Sequence, residues 1–427
     1  MTAAVDGYGS IDRESLEDAT RSNYSSSSLS STVFAQRRIA YISIASAIIA
    51  SILLLLHQSF SSATSHHSPS LLQMSHHQQH DDDTTIIMPN PTAYPRRLFI
   101  HRTNTTIPIL GFPSVALARL SNPQNDQPLA NAAVRHAIQD LQISYFDVAP
   151  EYGDGVAQER LGPALHPYRS GVFLAAKTMF RDAAGSQADL DNTLRSLETD
   201  HLDLYQFHSI STQQDVDAIL GEGGAMTTFQ RAKRQGKIKA IGFSAHSEPH
   251  AIQMIESRLV DTCMFPINFV SYHYGGVGHG VLQAAIRHNV GVIALKAGAR
   301  GRLTSTNGDA VTVPQKFHHI PEWKRQEMIH YPVVTSPKYY TWYEPEDDPE
   351  ELNKLILWAL NMEGVTAVLP PGTMDLLDGI AEMLLRGKGV VPRLTEEEVE
   401  GMMRRYGGME IVPIFHNRSV AGTKVST

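Results

Sequence analysis

Asp147, Tyr152, Lys177 and His208 are residues whose types, taken together, can reduce a carbonyl group. Hydride arriving at a carbonyl carbon leaves negative charge on the oxygen, and a positioned side chain must then supply a proton. A tyrosine with its ordinary pKa of about 10 is a poor donor at neutral pH unless its surroundings assist. Lys177 is placed to assist, because an ammonium beside the phenol favours the tyrosinate and lowers the Tyr152 pKa. Asp147 would keep that lysine charged and oriented. His208 would hydrogen-bond the substrate oxygen and fix the carbonyl for attack. Any one of the four has a bland structural reading: a turn cap, a packing aromatic, a solvated strand end, a rim histidine. Their joint occurrence at successive strand ends favours the catalytic reading.

Such a set needs a scaffold that delivers each member to one place. The four residues lie in or just beyond β-rich runs at 144–148, 172–177 and 202–208. Further runs at 107–111, 240–244, 262–266, 291–295 and 367–369 bring the predicted strands to eight. Amphipathic stretches at 129–140, 188–197, 226–235, 251–257, 281–288 and 350–361 separate them, with apolar residues recurring at three and four. Strict alternation of this kind predicts a (β/α)8 TIM barrel of the α/β class, whose chemistry sits at the C-terminal ends of the strands. No Gly-rich dinucleotide fingerprint follows the first strand, which disfavours an open Rossmann sheet. A long connection at 297–348 carries Trp323, Tyr340, Trp342 and Tyr343 and is expected on the catalytic rim, as a lid or in contact with substrate.

The chain divides into four expected segments: a disordered tail at 1–38, a transmembrane signal-anchor at 39–56, a polar linker at 57–97 and the barrel domain at 98–427. The uncharged run at 39–56 covers about 27 Å as a helix, enough to span a thin bilayer. Arg37 and Arg38 precede it and no Lys or Arg follows until Arg96, so the N-terminus is expected to be cytoplasmic and the barrel lumenal. The linker's histidines and Asp81–Asp83 read as a solvated spacer rather than a metal site. A formal net charge of −8 without a basic stripe gives no support to nucleic-acid binding. One cysteine, Cys263, cannot form an internal disulfide or hold an iron–sulfur cluster.

The segments Phe-Asp-Val-Ala-Pro-Glu-Tyr-Gly at 146–153, Leu-Ala-Ala-Lys-Thr at 174–178 and Asp-Leu-Tyr-Gln-Phe-His at 203–208 resemble the signature segments of the aldo-keto reductase superfamily. The resemblance implies a nicotinamide cofactor, usually NADPH, bound across the barrel mouth, and a small carbonyl or alcohol substrate. It carries the catalytic roles to Asp147, Tyr152, Lys177 and His208, and implies cofactor contacts at Ser244, Asn268 and Lys296. Gly372 and Thr373 precede a helix N-terminus that can take a phosphate, and Arg300 is a candidate for the same phosphates. Ala245, Met264 and Leu295 stand where the family usually has Asn, Gln and Tyr for the nicotinamide. Met374 and Asp375 stand where basic residues usually take the 2′-phosphate, which leaves NADH possible. Those departures keep open a second function, a nucleotide-binding redox sensor or regulatory subunit with little turnover. Glu151 and Asp154 lie close to the tyrosine motif, but no second placed carboxylate pair is evident for glycosidase chemistry.

Overall fold

A computed structural model describes residues 86–100, 105–119, 126–302, 309–311, 333–335 and 343–409. The expected tail, the expected span at 39–56, Trp323, Tyr340 and Trp342 lie outside these residues. Among the described residues no helix is long and apolar enough to cross a membrane.

The described chain first forms an antiparallel hairpin of β1 (Arg96–Ile100) and β2 (Thr105–Pro108). Residues 107–111, read from sequence as the first barrel strand, are therefore divided. Pro108 lacks an N–H and ends β2, and the barrel proper starts at β3 (Gly111–Pro113). Ile107 is fully buried within the apolar cluster of the barrel interior. Arg97 fixes the hairpin by donating from Nη1 to the carbonyls of Leu360 at 2.7 Å and Val365 at 2.8 Å. The hairpin thereby covers the N-terminal end of the barrel, opposite the rim where chemistry belongs.

From β3 the strands run parallel and in sequence order: β4 (Tyr145–Asp147), β5 (Phe173–Thr178), β6 (Leu202–Ile210), β7 (Ile238–Ala245), β8 (Thr262–Phe265) and β9 (Gly291–Leu295). The long connection then forms two antiparallel ribbons. In these β10 (Ala299–Arg302), β11 (Asp309–Val311), β12 (Val333–Thr335) and β13 (Tyr343–Pro345) pair as β10 with β13 and β11 with β12. The eighth barrel strand, β14 (Val365–Leu369), lies parallel to β9. Closure against the start of the barrel is a single parallel bridge between Leu110 and Val368, with Val368 N–H donating to Ile109 O at 2.8 Å. The alternating architecture read from the sequence is thus present.

Alternate residues of the strands divide the core in two. Tyr145, Phe173, Ala175, Leu204, Ala240, Met264, Ile293, Leu295, Ala367 and Leu369 fill the interior with Ile107, while their neighbours pack outward against the helices. A helix at Val156–Leu165 is absent from the sequence reading because Gly162-Pro163 interrupts its pattern. His136 crosses the seam between the first and last barrel helices, bonding Asp140 at 2.7 Å on its own helix and Asp378 at 3.2 Å on Met374–Arg386.

Candidate active site

Strand parity brings the chemistry together. Asp147 follows the inward-facing Tyr145 by two residues, Lys177 follows Ala175, Gln206 and His208 follow Leu204, and Ser244 follows Ala240 by four. All therefore point into the barrel at its C-terminal end, above the apolar interior. Register places Asp147 beside Ala175 and Lys177 beside Gln206.

Tyr152 arrives from a loop rather than a strand. After β4 the Tyr152 N–H bonds Ala149 O at 3.0 Å, and Gly153, Asp154 and Gly155 all take the left-handed conformation, with φ of 66°, 55° and 93°. The two glycines make this run of positive φ accessible. Its effect is a tight reversal that leads into the helix at Val156–Leu165 and leaves Tyr152 over the barrel mouth.

The expected four meet. Lys177 Nζ donates to Asp147 Oδ1, to the Tyr152 hydroxyl at 3.1 Å and toward Val148 O at 3.4 Å. Asp147 and Lys177 are buried, with side chains 2% and 1% exposed. Gln206, which the sequence reading gave no role, donates from Nε2 to Asp147 Oδ2 at 3.2 Å. The His208 ring stands edge-on to Tyr152 with centroids 6.0 Å apart, and its Nδ1 lies 2.7 Å from Glu151 Oε2. Arg181, buried and paired with Asp215 at 2.8 Å, donates from Nη2 to the His208 carbonyl at 2.6 Å and so anchors that residue through its backbone.

The electrostatics differ in one respect from the expectation. Burial pushes the Tyr152 pKa up, and the Lys177 ammonium, although it pulls the value down, does not cancel that rise. The phenol therefore stays protonated at neutral pH. Burial alone would lower the Lys177 pKa, but the Asp147 charge and then the neighbouring phenol raise it above its ordinary value. Burial, followed by the charge of Lys177, holds His208 well below its ordinary pKa, against a smaller opposing effect of Asp147. The contact with Glu151 is thus a hydrogen bond from a neutral ring rather than an ion pair. The His208 side chain is still 17% exposed, so a ligand can touch it.

The expected cofactor residues are less uniform. Ser244 Oγ accepts from Ser209 N–H at 2.8 Å and shapes the rim beside His208. Asn268 is fully buried; its Oδ1 caps the next turn by accepting from Ser271 N–H at 2.8 Å, while its Nδ2 has no hydrogen-bond partner among the described residues. Thr373 precedes the helix Met374–Arg386, yet its hydroxyl does not cap that helix and is buried without a hydrogen-bond partner among the described residues. Gly372 lies against Val115, where a Cβ would collide. Lys296 takes a left-handed φ of 57° just past β9, with Nζ 3.3 Å from His246 Nε2. Burial and then the charge of Lys177 bring its pKa down to about 7. Arg300 instead pairs with Glu344 across the β10–β13 ribbon. Met264 and Leu295 are packed into the barrel interior.

Strand parity with His208 was a signal that could have found Gln206. Glu151 carried none, because its partner lies 57 residues away and meets it only when the β4 loop folds back.

The model of the aldo/keto reductase family matches residues 114–370, more than half of the chain. The Schizosaccharomyces pombe protein named aldo-keto reductase yakc, NADP(+), is 25% identical over 331 residues, which are 72% of this chain and 85% of that protein. Methylglyoxal reductase YeaE of Escherichia coli is 32% identical over 152 residues, 34% of this chain and 49% of that protein. A Klebsiella pneumoniae aldo/keto reductase solved with NADP and acetate shares the fold at a TM-score of 0.50 and 20% identity, covering 76% of this chain and 98% of that one. The chain belongs to the aldo/keto reductase family and is an NAD(P)-dependent oxidoreductase.

Proposed function

We propose that this enzyme uses NADP(H) to interconvert an aldehyde or ketone with its alcohol, with Tyr152 as the proton donor in reduction. The observation that carries this reading is the buried Asp147–Lys177 pair with Tyr152 at its tip, 3.1 Å from the ammonium. The bound nicotinamide supplies the hydride. Tyr152, kept protonated by burial, holds the proton at its hydroxyl oxygen, and Lys177 stabilises the phenolate left behind. Asp147 and Gln206 keep Lys177 in register, and His208 orients the substrate oxygen.

The residues present fit a dinucleotide. Asn268 Nδ2 and Thr373 Oγ1 are buried polar groups without a partner among the described residues, suited to a carboxamide and a phosphate respectively. The N-terminus of the helix Met374–Arg386 adds backbone donors beside Thr373. The NADP named with two of the relatives favours NADPH over NADH, although Asp375 at that helix start opposes a 2′-phosphate. Fluorescence titration of the full-length protein with NADPH and NADH tests this, together with Thr373→Val. Because the hydroxyl caps nothing, the variant is expected to keep wild-type thermal stability while its NADPH Kd rises about tenfold. Failure of the wild type to bind either nucleotide sinks the assignment; binding without turnover on any carbonyl favours the sensor reading.

We also propose that residues 39–56 anchor the protein in a membrane, with the N-terminus cytoplasmic and the barrel lumenal. The uncharged run and the basic pair Arg37-Arg38 support this. In isolated membranes the chain is expected to resist alkaline carbonate extraction, and the barrel to resist protease until detergent is added. Recovery in the carbonate supernatant would contradict the anchor.

A further inference from the structure

Two lysines share the barrel mouth, and their surroundings differ. Lys177 is paired with the Asp147 carboxylate and stays charged. Lys296 leaves the end of β9 with a left-handed φ of 57°, a conformation uncommon outside glycine, and its carbonyl accepts from Ala299 N–H at 3.0 Å. The half-buried side chain brings Nζ to 3.3 Å from Nε2 of His246, the residue just past β7. His246 is held in turn at the rim beside His208, with Nδ1 3.4 Å from Ser209 Oγ and its backbone N–H donating to Ile210 O at 3.1 Å. The groups that act on Lys296 are the Lys177 ammonium with its Asp147 counter-charge, the neutral His208 backed by Glu151, and His246. Burial and the second ammonium bring the Lys296 pKa down to about 7, so near neutrality a large share of this side chain is uncharged amine. A lysine discharged by desolvation and a neighbouring cation is a nucleophile toward carbonyl carbon.

We propose that Lys296 is a covalent capture site for aldehydes in the nucleotide-free enzyme, forming an imine with His246 as its proton relay. The Nζ lone pair adds to the carbonyl carbon, one amine proton passes through His246 Nε2 to the former carbonyl oxygen, and a carbinolamine results. The second amine proton then leaves with that hydroxyl as water, and a C=N bond replaces C=O. No electron donor or acceptor is consumed, and water reverses the step. An ammonium only donates hydrogen bonds, so beside charged Lys296 the His246 Nε2 is the acceptor and the ring proton lies on Nδ1, toward Ser209. That tautomer leaves Nε2 ready to take the proton which the attacking amine gives up. Unhindered aldehydes are the class captured, because a second carbon substituent crowds a half-buried amine. The inference rests on the reading that carbonyl compounds enter this mouth, and it adds a second fate for them there.

Full-length protein without nucleotide, incubated with para-nitrobenzaldehyde and sodium cyanoborohydride, converts an imine into a stable secondary amine that peptide mass mapping locates. At neutral pH Lys296 is expected to be labelled at least about tenfold faster than any other lysine, because lysines with the ordinary pKa of about 10.4 are almost wholly charged there. Its labelling is expected to be half-maximal at about pH 7, where the amine loses its proton. His246→Gln keeps a polar group beside the amine but no base, and is expected to slow the labelling roughly a hundredfold. An adduct mapped to another lysine overturns the capture site in the wild type alone, and so does Lys296 labelling that rises only above about pH 9 with the rest. An unchanged rate in His246→Gln overturns the relay. None of these readouts uses NADP(H) or turnover, so they are distinct from a failure of the carbonyl–alcohol reading, which shows as absence of NADP(H) turnover with every carbonyl offered.

Discussion

Replacing Tyr152 with Phe is expected to lower the kcat of carbonyl reduction by roughly 10²- to 10⁴-fold, the usual contribution of a positioned acid. The phenyl ring keeps the edge-on contact with His208, so the loop and the barrel mouth retain their shape. Only the hydroxyl 3.1 Å from Lys177 is lost. NADPH affinity is expected to stay close to the wild-type value, since the change removes an interaction made in the transition state rather than one that binds nucleotide. Steady-state kinetics with fluorescence titration separate the two quantities. A variant with wild-type kcat would remove Tyr152 from the reaction. A variant with proportionate losses in kcat and nucleotide affinity would point instead to a packing role.

The largest effect on stability is expected from Lys177→Met. Lys177 and Asp147 are both buried, and the variant leaves the Asp147 carboxylate without its counter-charge. Removal of one partner of a buried pair costs about 3–5 kcal/mol, whereas replacement of both is far milder. Urea denaturation should therefore show Lys177→Met well below the wild type and Asp147→Asn combined with Lys177→Met partly restored. Activity should recover in neither, because the ammonium beside the phenol is absent from both. The pH profile supplies a sharper check. Burial raises the Tyr152 pKa and Lys177 lowers it, so without the ammonium the phenol becomes still harder to ionise. The alkaline limb of any residual reduction should then move to higher pH. A limb that stays in place would show that Lys177 does not govern the phenol, and a Lys177→Met protein as stable as wild type would show that the pair is not the anchor of the site.

The strand alternation and the four expected residues were legible because both are local. Strand and helix periods repeat within a few residues, and each of Asp147, Lys177 and His208 lies at or near the end of its own apolar run. The first strand was not legible. Pro108 and the capping role of Ile107 matter only once β1 and β2 close the barrel from below. The pairing of Arg300 was not legible for the same reason, since its partner Glu344 is supplied by a ribbon 44 residues away.

By itself the sequence determined the residue types, their order, and through strand parity the face on which they appear. These follow from backbone geometry that each segment carries with it. Tertiary structure decided which groups meet and in what charge state. Glu151 became the partner of His208 when the loop of positive-φ residues 153–155 reversed over the barrel mouth. The Tyr152 phenol stayed protonated because burial outweighed the ammonium beside it. Desolvation and long-range contact depend on what the rest of the chain places around a residue, and no neighbour in sequence encodes them.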